Sequence, residues 1–183
     1  MTIPLHQNLQ GGNAHMIAKQ YCTDSRLTHV DSDGKASMVD VGQKNDTVRT
    51  AIATGKIILG ENAFKLVESN QMKKGDVLTV SQIAGVMGAK QTANLIPLCH
   101  PLILNKIDVK LKLDKSDFSV IVEGSVQCSG KTGVEMEALT AVSVTLLTVY
   151  DMCKAVTKDM TIENIKLVKK TGGKSDYKNT PLC

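Results

Sequence analysis

The stretch that most restricts the fold is TGVEMEALTAVSVTLLTVYDMCKAV, Thr132 to Val156, because nothing between Ala138 and Tyr150 carries a charge. A helix of this composition is apolar nearly all round, and such a helix has to be covered on most of its sides. Charge gathers at the ends, with Glu135 and Glu137 at the start and Asp151 and Lys154 near the finish. The macrodipole alone favours acids at a helix start and a lysine at its end, so wetted termini are one reading. Geometry offers another. At ~100° per residue, Glu137 and Asp151 fall within ~40° of one another, and Asp151 and Lys154 are neighbours at i, i+3. Yet 14 positions separate Glu137 from Asp151, a rise of ~21 Å that no single small group can bridge. If both ends are functional, the start of one copy's helix serves the end of another's, at a subunit interface.

The remaining elements follow from periodicity. Ile107, Val109, Leu111 and Leu113 alternate with Asp108, Lys110 and Lys112; after the turn DKSD, Phe118, Val120, Val122 and Val126 alternate again. Two alternating runs joined by a short polar turn predict an antiparallel hairpin. VRTAIATGKIIL (Val48 to Leu59) is rich in β-branched residues and predicts a strand; TIENIKLVKK predicts the last one. ENAFKLVESNQ predicts a short helix stopped by Gly75, and Asp76 offers an N-cap for a second helix from about Val77 to Asn94. Gly85 and Gly88 inside that helix cost propensity and so mark close packing. SMVDV (Ser37 to Val41) is expected to be a short strand or buried connector before the polar turn GQKND. The order from Val48 is βα(α)ββαβ, the ferredoxin-like α+β plan of an antiparallel sheet with helices on one face. Residues 1–25 lack periodicity and are expected to form a flexible lead-in, residues 26–178 a single domain and residues 179–183 a tail.

Composition narrows the class. Aromatics make up only 3% and Trp is absent, so the core must be aliphatic. A net charge of +4 permits an anionic ligand without demanding a polyanion the size of DNA. The five cysteines have no CxxC spacing, which argues against a zinc site or disulfide framework and for free thiols in a reducing compartment. The longest uncharged run is too short to span a bilayer, and the N-terminus lacks the basic start and apolar block of a secretory signal.

Three polar groups need a reason. His100, between Cys99 and Pro101 with Pro97 upstream, sits on a stiff corner. It reads as a hydrogen-bonded structural histidine or as a proton carrier on a rigid mount. Adjacent Cys and His suit two ligands of one metal poorly, so no metal site is expected. Lys166, Lys169, Lys170 and Lys174 surround Gly172 and Gly173. They form either a solvated basic tail or an anion cradle in which glycine N–H groups approach phosphate and lysines neutralise it. The P-loop pattern is not satisfied. Arg49 and the KKGD stretch, with Lys73 and Lys74, add further cations. One His, one Asp and several Lys around an anion suit acid/base chemistry on a phosphorylated metabolite, without naming it.

The motifs LTHVD, MVDVG, KGD, LIPLCHPL, TGVEMEALTAVSV, YDMCKAV and K-TGGKS stand in the order found in the MoaC family of molybdenum cofactor biosynthesis. From about Leu27 to Asp176 the chain resembles that family, with no departure at the motif positions. The resemblance implies a homohexamer built as a trimer of dimers, with the active site at a dimer interface. It implies a lyase, cyclic pyranopterin monophosphate synthase, converting 3′,8-cyclo-7,8-dihydro-GTP to cyclic pyranopterin monophosphate with release of diphosphate. The catalytic acid matches Asp151, the binding segments match Leu98, Cys99 and His100 and Met136 and Glu137, and functional cations match Arg49, Lys74, Lys154 and Lys170.

On this reading Arg49 and the lysines, Lys174 among them, hold the phosphates, while Glu135 stands beside Met136 and Glu137 in binding. Asp151 and Lys154 move protons, Lys74 and Lys170 join them as buried lysines of shifted pKa, and His100 binds or polarises substrate. No resident cofactor or metal is implied, though Mg²⁺ can accompany the triphosphate. Functional coupling to the radical SAM enzyme that makes the substrate is implied as well. The competing class is a non-catalytic binding module for a phosphorylated purine or pterin. An RNA-binding sheet is disfavoured, since the hairpin offers only Phe118 for base stacking. The expected compartment is the cytoplasm of a bacterium or the mitochondrial matrix of a eukaryote, with no membrane or nucleic-acid partner.

Overall fold

The computed structural model describes residues 35–179. The expected lead-in at 1–25, the LTHVD motif and residues 180–183 lie outside the described residues. Nine elements follow in order: β1 (Thr47–Ile58), α1 (Glu61–Glu68), α2 (Val77–Lys90), α3 (Thr92–Leu95), β2 (Leu104–Asp114), β3 (Ser119–Gly130), α4 (Glu135–Cys153), β4 (Thr161–Thr171) and β5 (Tyr177–Lys178). The sheet is antiparallel, in the order β2-β3-β1-β4-β5. This is the expected ferredoxin-like α+β arrangement, extended by the short β5.

The strand alternation sorts residues as anticipated. Ala51, Ala53 and Ile57 of β1 and Val120, Val122 and Val126 of β3 are fully buried beneath the helices. Phe118 is not on the sheet face. It occupies the turn at φ 56° and packs edge-on against Phe64 of α1, with ring centroids 5.7 Å apart. An aromatic platform for bases is therefore missing from the hairpin.

The long apolar helix α4 is the centre of the core. Ala138, Ala141, Val142, Leu146 and Val149 are completely buried. Its β-branched hydroxyls cost little to bury, because Thr145 and Thr148 donate to the carbonyls of Ala141 and Val144 one turn back, at 2.8 and 2.7 Å. By length and composition α4 is long and apolar enough to cross a membrane, contrary to the estimate from its uncharged run alone. Of its apolar window, 56% is buried inside the subunit. Leu147, at 60% exposure, marks the side left open.

Helix α2 starts where expected, with the Asp76 carboxylate accepting from the Thr79 amide at 3.0 Å. It stops four residues early, at Lys90, and the chain re-forms a single turn at α3. Of the two readings of SMVDV, the strand fails and the connector stands, though only partly buried. Residues 37–41 form no strand, and only Val39 and Val41 are half-buried. Those two valines instead face a cavity.

Antiparallel pairing settles where chemistry can gather. The start of β1, the end of β3 and the end of β4 share one edge of the sheet, since Thr47 pairs with Gly130 and Thr50 with Thr171. The start of α4 and the PLCHP corner leading into β2 lie at that same edge. The far end of α4 falls beside the loop between α1 and α2.

Candidate active site

Two cavities adjoin at the sheet edge. The larger, about 380 Å³, is lined by Leu98, Cys99 and His100 from the proline corner and by Glu135, Met136 and Glu137 from the first turn of α4. Val39, Val41 and Lys44 close it from the segment before β1. The smaller, about 230 Å³, holds Arg49, Lys170 and Lys174. Lys44, Thr132, Gly133 and Glu135 belong to the walls of both. Strand parity explains the cations. Arg49 and Lys170 share the face on which Ala51 is buried, so both point toward α4, whereas Lys169 is exposed.

Several polar groups at this edge have defined partners or surroundings. The Arg49 Nε donates to the Gly130 carbonyl at 2.8 Å, which fixes its guanidinium at the mouth of the smaller cavity. Lys170 Nζ lies 3.3 Å from Glu135. Glu137 is only 4% exposed. Burial pushes its carboxyl above the ordinary range, opposed by a hydrogen bond from its own backbone amide and reinforced by the neighbouring Glu135 charge. Cys99 is raised as well, by burial and then by Glu137, so it stays a thiol near neutrality and is no thiolate nucleophile.

The glycine turn works differently from the expected cradle. Gly172, at φ 85°, has its amide bonded to the Asp176 carboxylate at 3.2 Å, so that N–H is already engaged. A Cβ there would lie 2.0 Å from the Val48 carbonyl oxygen. The glycine lets the turn press against β1 next to Arg49, and the Gly172 amide is not free to meet an anion.

At the other end of α4 the structure joins Asp151, Lys154 and Lys74. Asp151 Oδ1 is 2.6 Å from Lys154 Nζ, and Oδ2 is 2.7 Å from Lys74 Nζ, which also donates to the Asp151 carbonyl at 2.9 Å. These hydrogen bonds, from Lys154 first and Lys74 next, pull the Asp151 carboxyl down to about 2. The Asp151 partner in turn raises Lys154. The expectation of buried lysines fails. Lys74 and Lys170 side chains are 44% and 35% exposed, and each stands by a carboxylate. Within one subunit each of these two lysines is held by an ion pair.

The twelve residues singled out in the sequence thus fall into two groups. Nine (Arg49, Leu98, Cys99, His100, Glu135, Met136, Glu137, Lys170 and Lys174) surround the paired cavities. Three (Lys74, Asp151 and Lys154) form the distant triad. Lys44, Thr132 and Gly133 escaped the sequence reading; Lys44 sat unnoticed in a polar turn. Among the described residues no three His, Cys, Asp or Glu side chains gather as metal ligands.

The chain is similar to a cyclic pyranopterin monophosphate synthase, mitochondrial, of Arabidopsis thaliana, at 60% identity over 82% of this chain and 56% of that protein. It is similar to molybdenum cofactor biosynthesis protein 1 of Drosophila melanogaster, at 58% identity over 94% of this chain and 30% of that protein. A cyclic pyranopterin monophosphate synthase of Heliobacterium modesticaldum is 54% identical over 82% of this chain and 95% of its own length. The chain therefore spans about half of the plant relative and less than a third of the insect one. The family model described as MoaC family matches residues 38–173, a range that holds the triad at the far end of α4 and the lining of both cavities except Lys174, and the chain belongs to the MoaC family.

Proposed function

We propose that the chain is a cyclic pyranopterin monophosphate synthase, a lyase of molybdenum cofactor biosynthesis. It would convert 3′,8-cyclo-7,8-dihydro-GTP to cyclic pyranopterin monophosphate and diphosphate. The observation that carries this reading is the pairing of a cavity holding a buried carboxyl with a neighbouring cavity walled by Arg49, Lys170 and Lys174. A purine-derived ring carrying hydrogen-bond donors suits the first, and a polyphosphate suits the second. In the reaction a substrate hydroxyl oxygen bonds to the α-phosphorus as the bond to the diphosphate oxygen breaks. Fixed cations stabilise the charge that collects on the departing diphosphate. His100, on its proline-stiffened corner, would orient or polarise the ring.

Asp151 and Lys154 would move protons during ring opening and rebuilding, aided by Lys74. Within one subunit Asp151 is ionised and Lys154 charged, each holding the other. A substrate brought between them would release both. The triad lies a helix length from the cavities, so the site would be completed by a second subunit, in keeping with a hexamer built as a trimer of dimers. The reading assigns no resident cofactor; Mg²⁺ would enter with the triphosphate. Functional coupling would be to the radical SAM enzyme that supplies the substrate. The compartment would be cytoplasm or mitochondrial matrix.

Incubation of the chain with 3′,8-cyclo-7,8-dihydro-GTP should release diphosphate, and Asp151→Asn should slow that release by about 10²–10⁴-fold, the usual weight of a general acid or base. Substrate binding without diphosphate release by the unaltered chain would favour the binding-module reading instead.

A further inference from the structure

Lys44 has the geometry of an unassigned ligand-binding residue. It lies on the segment between Gly42 and β1 and contributes to the walls of both cavities. Of the other three residues common to both, Thr132 and Gly133 are uncharged. Glu135 is a carboxylate already close to Lys170. Lys44 is therefore the sole cation at the junction among the described residues. No carboxylate among those residues stands within ion-pair distance of it, in contrast to Lys74, Lys154 and Lys170.

The segment that carries Lys44 is held in place from the loop between β3 and α4. Lys131 Nζ donates to the Gly42 carbonyl at 2.8 Å, and the Lys44 amide closes a turn on the Val41 carbonyl at 3.1 Å. Val39 and Val41 of the same segment lie against the larger cavity. A stretch without helix or strand is thus pinned across the seam of the two cavities by one lysine and presents a second lysine into that seam.

The geometry points to Lys44 as the residue that grips the α-phosphate, the group linking the ring system to the departing diphosphate, with Lys131 as the positioning residue that sets its reach. This assignment rests on the functional reading above and adds to it the part of the substrate held at the junction. A nucleotide with its ring in the larger cavity and its terminal phosphates by Arg49, Lys170 and Lys174 passes its α-phosphate through the seam. An ammonium there neutralises charge on the non-bridging oxygens of the α-phosphate, whose phosphorus is under attack. Arg49 and Lys170 would receive the leaving diphosphate.

The test is calorimetric titration of the full chain with GTP, GMP, guanosine and inorganic diphosphate. Lys44→Ala should weaken GTP and GMP about tenfold, the loss of one charge-assisted hydrogen bond, with guanosine and diphosphate unchanged. Lys44→Arg should restore most of the difference. Lys131→Met should show the same ligand selectivity, and combining it with Lys44→Ala should add little, because the two act through one contact. Unchanged GMP affinity in Lys44→Ala, or an equal loss for guanosine, would overturn the assignment of Lys44. Additive losses would overturn that of Lys131. Absence of GTP and diphosphate binding by the unaltered chain would instead overturn the underlying reading of the cavities.

Discussion

Glu137 is a buried carboxyl at the wall of the larger cavity. Its carboxyl is 4% exposed, with Glu135 adding repulsion to the cost of burial. The folded carboxyl therefore keeps its proton to higher pH than the unfolded one. Between the two values the folded chain binds more protons, so stability falls as pH rises through that window and is fully kept below the ordinary carboxyl range. Glu137→Gln cannot ionise. Its melting temperature should match the unaltered chain near pH 4 and exceed it at pH 7–8, where the unaltered carboxyl has lost its proton in the unfolded chain. Thermal melts at half-unit intervals would check this, and parallel curves across the range would contradict it. The identity of this carboxyl was legible in the sequence because it opens an uncharged helix. Its burial was not, because the cover comes from the proline corner some forty residues upstream. The same limit hid the bond between Lys74 and Asp151, which are 77 positions apart. Lys44 was hidden for another reason: a lysine in a polar turn looks like any solvated lysine until the cavity walls are known.

At the scale of elements, α2 and α4 meet in a tight seam. A Cβ on Gly85 would lie 2.1 Å from Thr145 Oγ1 and 3.0 Å from the Ala141 carbonyl oxygen; one on Gly88 would lie 2.8 Å from Val144 Cβ. Alanine would gain about 1 kcal/mol of helix propensity at either position. Forcing a methyl into a filled seam costs about 1–3 kcal/mol, and Thr145 is anchored by its bond to Ala141. The clash should win. Gly85→Ala and Gly88→Ala should each lower the melting temperature by a few degrees, whereas an unchanged or raised value would show that the helices part at no cost. This seam was legible as two glycines misplaced in a helix. The hairpin was legible too, because a period of two over seven residues leaves little else to form. The irregular path of β4 was not. Asn164 adopts φ 56°, and the pairing with β1 shifts register between Ile52 and Ala53 and again between Thr54 and Lys56. Bulges of this kind depend on the partner strand, which the local pattern of TIENIKLVKK does not contain. SMVDV forms a connector and no strand: its two valines serve a cavity wall, while Met38 is exposed.

For the whole molecule, the distribution of functional groups along α4 makes the strongest demand. The cavities surround its first turn, where Glu135, Met136 and Glu137 lie. Asp151 and Lys154 close its last. A 19-residue helix separates them by more than any nucleotide ring system spans. Both ends can act on one substrate only if they come from different copies. The exposed apolar side chains Val80, Ile83 and Met87 of α2 and Leu147 of α4 offer surface for such an assembly. Complementation tests this directly. Glu137→Ala and Asp151→Asn chains, each inactive alone, are unfolded together and allowed to reassemble, with hybrid oligomers verified by mass. If sites are shared, some junctions pair an intact Glu137 from one copy with an intact Asp151 from the other. In a dimer of the two variants, one of the two sites would hold both residues and the other neither. Random mixing then returns about a quarter of normal site activity, since each half of a site is intact with probability one half. Sites built within one chain would always carry one lesion, and the mixture would stay as inactive as its parts. Recovery near that fraction would establish that the two ends of α4 serve different copies of the site, and silence in proven hybrids would return Asp151, Lys154 and Lys74 to the status of a surface ion-pair cluster.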